Sequence, residues 1–275
     1  MFKKRKFILF VAVAASLFMV SNVHAETKEN APITYGIQLL EWKEADKVIP
    51  RYSKFSIYDM ETGKLFHAQR RAGSQHADVQ PLTTADTKIM KEIYGGKWSW
   101  KRRSILVLKD DQVLAASMHG MPHGAGALQN KFPGHFCIHF LGSTTHKTDN
   151  MDLSHKLMVY KAAGILKMEL DKQDPNDTVR SFVAGMKEQD NTILNHLSTE
   201  KLDWRAALEE LENVKLFKVE ETKDYQFETV LHINLEWQLY IQNEKRKSEM
   251  KRLTLVRTSP IEPWKVLIDD EFFPL

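Results

Sequence analysis

The chain has 275 residues, of which 43% are hydrophobic and 27% charged, with a formal net charge of +3, eleven histidines and a single cysteine. One cysteine excludes an internal disulfide, and the length is sufficient for two domains that each bury a core. Setting aside Met1–Ala25 removes four basic residues and no acidic one, which takes the net charge from +3 to −1. The basic balance therefore gives no argument for a nucleic-acid partner.

In chain order, Lys3-Lys4-Arg5-Lys6, the apolar run 7–20 and Val23-His24-Ala25 have the pattern of a secretory signal, residues 1–25. The run is short for a membrane span of about 20 residues, so no stable span is expected once the signal is cleaved, and the protein is expected outside the cytoplasm, secreted or wall-associated. Residues 26–50 read as a leader and connecting segment. Residues 55–60 and 65–68 form a hairpin pattern around Gly63. A polar loop is expected over 70–78, then a helix over 85–94 capped by Thr83 or Thr84. Trp98 and Trp100 lead into a second hairpin, 104–109 and 113–118, which delivers His119 at a strand end.

The glycine-rich connection 120–134 carries His123 and returns the chain to an alternating segment. There Phe136, Ile138 and Phe140 share an apolar face while His135, Cys137 and His139 share the other. A thiol with a free pKa of about 8.5 is mostly protonated at neutral pH, and an adjacent imidazole can accept its proton, so a lone cysteine among histidines suits nucleophilic sulfur chemistry. If the strands of His119 and Cys137 are neighbours, side chains across them stand about 4.5–5.5 Å apart at Cβ. A buried, inert cysteine is the ordinary alternative. A helix over 154–168 is expected to pack behind this sheet.

These residues carry a resemblance. L,D-transpeptidases, cysteine enzymes that cross-link or trim peptidoglycan, have a histidine, a spacer of about 14 to 17 residues, then Ser/Thr-His-Gly-Cys, usually with Arg or Asn beyond. Counting from His119, residues 120–133 make the spacer and Gly134-His135-Phe136-Cys137 follows; the count from His123 does not fit. Residues 51–170 are thus similar to that catalytic domain, with Gly134 in place of Ser/Thr, Phe136 in place of Gly, and His139 where Arg or Asn is usual. The resemblance implies Cys137 as nucleophile, His119 as proton acceptor and His135 beside the acyl-enzyme oxyanion. It also implies peptidoglycan stem peptides as partner, no cofactor, and two-step acyl transfer through a thioester. His123, His139, Gly134, His76 and Asp78 are expected to contact substrate; for His76 and Asp78 the alternatives are orienting His119, completing a metal site, or a solvated loop.

The competing expectation is a non-catalytic envelope-binding protein whose His/Cys cluster holds a ligand or a zinc ion. His135 and His139 lie four residues apart on a strand, roughly 13 Å at ~3.3 Å per residue, too far for one ion. A set of His119, His123 and one of His135 or Cys137 survives; His146 is a further ligand type. Trp98 and Trp100 suit sugar stacking or core packing. From 177 to 275, a helix capped by Asp177, a second over 202–211 and four strands near 214–220, 226–242, 251–258 and 264–269 are expected, and the phrase TVRSFVAGMKEQD over 178–190, followed by an LS-containing turn, resembles the opening of SnoaL-like cone domains. The expected fold class is therefore α+β: a β-rich L,D-transpeptidase-like domain followed by a smaller α+β cone.

Overall fold

The computed structural model describes residues 36–144, 151–242, 247–269 and 272. The signal, residues 1–25, and His146 lie outside the described residues. The chain opens with β1 (Ile37–Gln38), α1 (Trp42–Val48), β2 (Lys54–Asp59), β3 (Leu65–Ala72), β4 (Ala77–Pro81), α2 (Thr84–Ile93), β5 (Arg102–Lys109), β6 (Gln112–His119) and β7 (Phe136–His139). The strand order is β1-β6-β5-β2-β3-β4-β7, and β6 also pairs with β7. This second pairing closes β2 to β7 into an antiparallel barrel, with β1 added in parallel along β6. Closure leaves the six strands no long open edge.

Alternation explains the barrel. On every strand one set of side chains is apolar, including Ile57, Phe66, Val79, Val107, Met118 and Phe136, and these form one buried cluster. Each such side chain contributes roughly 1.5–3 kcal/mol by leaving water. Met90 and Ile93 of α2 and Ala45 and Ile49 of α1 join the same cluster. The start of α2 is fixed by a capping box: the Asp86 amide donates to Thr83 Oγ1 (3.2 Å) and the Thr83 amide donates to Asp86 Oδ2 (2.9 Å).

Residues 70–78, expected as a polar loop, are instead mostly strand. β3 runs to Ala72, and β4 pairs with both β3 and β7. Ala77 and Val79 point into the barrel core while Asp78 points outward yet is only 8% exposed. Polarity there marks a covered outer face, so the solvated-loop alternative for His76 and Asp78 is excluded.

The second part contains α3 (Leu153–Ala162), α4 (Leu166–Asp171), α5 (Pro175–Glu188), α6 (Asn191–Leu197), α7 (Trp204–Ala207), β8 (Leu211–Val219), β9 (Val230–Ile241), β10 (Lys247–Val256) and β11 (Lys265–Val266). The expected single helix over 154–168 is two. Gly164, at φ +77°, takes the left-handed position; the Ile165 amide donates to Tyr160 O (3.0 Å) and the Gly164 amide to Lys161 O (3.1 Å). That pairing is a Schellman stop. The cap of α5 lies three residues before the expected one, because Asp174 accepts from the Asp177 amide (2.7 Å) and Pro175 occupies the first turn. The expected helix over 202–211 shrinks to α7, since β8 takes the chain from Leu211, and α6 was not anticipated.

β8 to β11 form an antiparallel half-barrel in the order β11-β10-β9-β8. Its core, with Phe182, Trp204 and Trp237, is a second buried cluster. The fold is thus mixed and β-rich, a closed barrel plus a curved sheet covered by helices. α3 joins the two: Leu157 and Met158 enter the second cluster, while Met158 Sδ accepts from Ser104 Oγ (3.3 Å) on the barrel. Glu188 of α5 accepts from the Arg102 amide (2.7 Å). No helix among the described residues is long and apolar enough to cross a membrane.

Candidate functional site

The outward-facing residues of β4, β6 and β7 converge under α3. Asp78 of β4 stands directly across from Cys137 of β7, and Ser117 of β6 across from His139. One step further along the β6–β7 register, His119 comes opposite Cys137, so the two strands expected to be neighbours are neighbours. α3 sets His155 over them, with its Nδ1 2.9 Å from Ser117 Oγ.

The loop between β6 and β7 then folds back on itself. The His123 amide donates to His135 O (3.0 Å) and the His135 amide donates to His123 O (2.9 Å). This bridge lays the His123 ring against the sulfur, with Nε2 3.2 Å from Cys137 Sγ. His123 Nδ1 is 2.9 Å from His135 O. A carbonyl oxygen only accepts, so Nδ1 carries the proton and Nε2 presents its lone pair to the thiol.

The ring in contact with the thiol therefore belongs to His123, whereas the spacing singled out His119. One ring nitrogen of His119 lies within 4.8 Å of both Cys137 Sγ and a His123 ring nitrogen. Gly134 makes the return possible. Its φ is +132°, and a Cβ there would overlap the His123 carbonyl oxygen. It shapes the loop rather than offering a side chain to substrate. Gln80, which sequence reasoning missed, is 1% exposed and clamps the loop. It donates to Gly134 O (2.9 Å) and accepts from the Ala127 (2.9 Å) and Leu128 (3.2 Å) amides. No local pattern marks it.

Asp78 is the charged centre of the cluster. Its Oδ1 lies 3.7 Å from Cys137 Sγ, 3.3 Å from His76 Nε2 and 3.7 Å from His135 Nε2. Burial pushes the Cys137 thiol well above its usual range, and the Asp78 carboxylate pushes it further. Burial, with Arg102 next, draws His119 down to about 2. His139 is drawn down to about 3 by burial and by His76, and burial also lowers His155. His76, His139 and His155 form a continuous stack, with ring centroids 4.7 Å and then 3.8 Å apart. At neutral pH the resting site thus holds a protonated thiol and uncharged His119, His139 and His155.

Cys137 itself is 4% exposed. His123 and His135, which stand over it, are only half-buried, so the thiol lies one side chain below the surface. Trp100, half exposed, sits with its ring 4.7 Å from that of His119 and 5.7 Å from that of His123. It also lines a cavity of about 860 Å³ whose walls include Trp98, Met121, Lys187, Leu211 and Gln242. Trp98 packs edge-on against Phe132 (5.1 Å), a core use.

Compared with protein-family models, curated proteins and solved structures, the chain matches none. The chemistry of the site is read from its own geometry.

Two donor sets in the cluster share the sulfur: His119, His123 and Cys137, and His76, Cys137 and His139, each with its donor atoms within 4.8 Å of one another. Among the described residues neither set combines His135, just before β7, with His139 at its end.

Proposed function

We propose that this protein is a secreted cysteine acyltransferase that acts on peptidoglycan stem peptides, of L,D-transpeptidase or L,D-carboxypeptidase type. The observation that carries the reading is the Cys137–His123 pair, with sulfur and Nε2 3.2 Å apart and the far nitrogen tied to a backbone carbonyl. A nucleophile, a base within hydrogen-bond reach and a third group orienting the base are what thiol catalysis requires.

The thiol is held protonated at rest, so the first step couples proton transfer to attack. His123 Nε2 takes the S–H proton as the sulfur electron pair bonds to the carbonyl carbon of the stem amide. The C–N bond then breaks, His123 returns the proton to the departing D-alanine nitrogen, and a Cys137 thioester remains. An amine acceptor attacking the thioester gives a cross-link; water gives a shortened stem. Burial disfavours the separated thiolate–imidazolium pair, so the proton moves only as attack proceeds, and it limits adventitious thiol oxidation. Trp100, half exposed against the His119 and His123 rings, is the side chain on which the stem and its sugar would rest. His135 is half-buried, with Nδ1 3.2 Å from Ala125 O and Nε2 3.7 Å from Asp78 Oδ1; a carbonyl only accepts, so Nδ1–H is committed there, and an oxyanion donor role for this ring requires that contact to open.

Incubation of the protein with a tetrapeptide-stem muropeptide tests the reading. Release of D-alanine, with a transient thioester on Cys137 that is lost in Cys137→Ser, is the expected result. Wild-type protein that neither releases D-alanine nor forms the thioester overturns it.

A further inference from the structure

We propose that His119, His123 and Cys137 also form a binding site for one thiophilic divalent cation of the zinc class, and that this ion competes with the acyl donor for the sulfur. The competition rests on the acyl-transfer reading; the metal site rests on the donor set alone.

Four observations support the site. First, the three donor atoms lie within 4.8 Å of one another, with His123 Nε2 and Cys137 Sγ at 3.2 Å. In a tetrahedral site with Zn–N of about 2.0–2.1 Å and Zn–S of about 2.3 Å, neighbouring donors stand roughly 3.4–3.6 Å apart. Closing the set around an ion requires shifts of about an ångström. Second, His119 is 4% exposed and its Nδ1 finds no hydrogen-bond partner among the described residues. A buried polar nitrogen left unmatched costs about 1–3 kcal/mol, so nothing in the resting site holds this ring against the small shift that ligation needs. Third, the proton on His123 Nδ1 is fixed by His135 O at 2.9 Å. This outer-shell contact selects Nε2 as the ligand atom, as in histidine metal sites generally. Fourth, the Asp78 carboxylate oxygen, 3.7 Å from the sulfur, adds a negative charge that favours a dication.

The alternative trio of His76, Cys137 and His139 is less suited. His76 Nδ1 is engaged with Thr144 O at 2.9 Å and Nε2 with Asp78 at 3.3 Å, and all three residues are buried. His123, in contrast, is half-buried, so this donor set lies nearer the surface. Three protein ligands leave a fourth position for water, the arrangement of an open site. Binding converts the thiol and the dication into a thiolate–metal bond and releases one proton to solvent; no oxidant or reductant takes part. His123 then no longer has a lone pair for the thiol proton, and acylation stops until the ion leaves.

The test uses the metal-free full chain and cobalt(II) as a spectroscopic probe. One equivalent of cobalt is expected to give a near-ultraviolet thiolate-to-cobalt charge-transfer band with intensified visible bands, and zinc is expected to displace it. Cys137 is the only cysteine, so the band in the wild type alone locates the ligand even if a variant fails to fold. Cys137→Ser should lose the band. His119→Gln, with its fold checked by circular dichroism, should weaken binding by at least about 100-fold, since even outer-shell changes cost about 10–100-fold. Zinc should slow thioester formation and a chelator should restore it. Absence of the charge-transfer band, or affinity unchanged in both variants, overturns the metal site. A protein that acylates without binding metal defeats this inference and leaves the acyl-transfer reading standing. A protein that binds cobalt through Cys137 but never acylates in metal-free form does the reverse.

Discussion

Replacing Asp78 by asparagine should make the thiol more reactive. The carboxylate oxygen lies 3.7 Å from Cys137 Sγ. After burial, this carboxylate is the main influence holding the thiol above its usual range. Two unit negative charges at about that separation repel by about 4 kcal/mol at an effective dielectric constant of ~20. At about 1.4 kcal/mol per pKa unit this is an upper limit of about 3 units, and the His76 and His135 rings against the same carboxylate reduce it, leaving a fall of about 1 to 3 units in the variant. Thiolate nucleophilicity drops as its pKa drops, with a Brønsted coefficient of about 0.4–0.5, so a little over half of the shift survives in the rate. Asp78→Asn should therefore alkylate roughly 3- to 30-fold faster with iodoacetamide at pH 7.5, read by intact mass. The amide keeps the size of the side chain, so access to the sulfur is unchanged. A rate equal to or below that of the wild type would show that the carboxylate does not act on the thiol, and would refute the electrostatic account of the site.

Stability should fall as the solution is acidified. Folded His119 and His139 protonate only near about 2 and about 3, and His155 is likewise lowered, whereas in the unfolded chain each ring titrates near its ordinary value of 6.5. Below that value the unfolded state binds more protons, so the stabilisation is complete above pH 6.5 and is lost as pH falls toward 3. Three such rings amount to about 4 kcal/mol between pH 7.5 and 5.5. Urea midpoints at the two pH values check this; an equal or higher midpoint at pH 5.5 contradicts it. Gly134→Ala should cost about 2–4 kcal/mol, since its φ of +132° and the overlap with His123 O exclude a Cβ. Thermal melting should show the loss, and thioester formation should slow more than melting alone explains, because the His123 bridge is displaced. Wild-type melting in Gly134→Ala would argue against the bridge. Trp100→Ala should raise KM for the muropeptide more than it lowers kcat; an unchanged KM would remove Trp100 from the substrate path.

Local pattern made much of the barrel legible. The alternation over 136–140 correctly separates the core-facing phenylalanines from Cys137 and its flanking histidines, and the Thr83 cap and both hairpins follow from short-range chemistry. β4 was not legible, because Asp78 and Gln80 are polar residues on a face roofed by other parts of the chain, and that cover is a tertiary fact. The assignment of the contacting imidazole failed for a related reason. Spacing counts residues along the chain, whereas the His123–His135 bridge doubles the loop back and brings the later histidine to the sulfur. Two local signals were present but underused: Gly164, which stops α3, and the Asp174-Pro175 pair, which starts α5.

The central claim is that His123 draws the proton from Cys137 as a thioester forms. Intact-mass kinetics of metal-free protein with a carbapenem-type β-lactam measure it most directly, because the ring-opened acyl group stays on the sulfur. The account predicts one adduct on wild-type protein, none on Cys137→Ser, and at least ~100-fold slower formation in a folded His123→Gln variant, the span usual for loss of a general base. Adduct formation at the wild-type rate in His123→Gln, or its absence from the wild type, would contradict it.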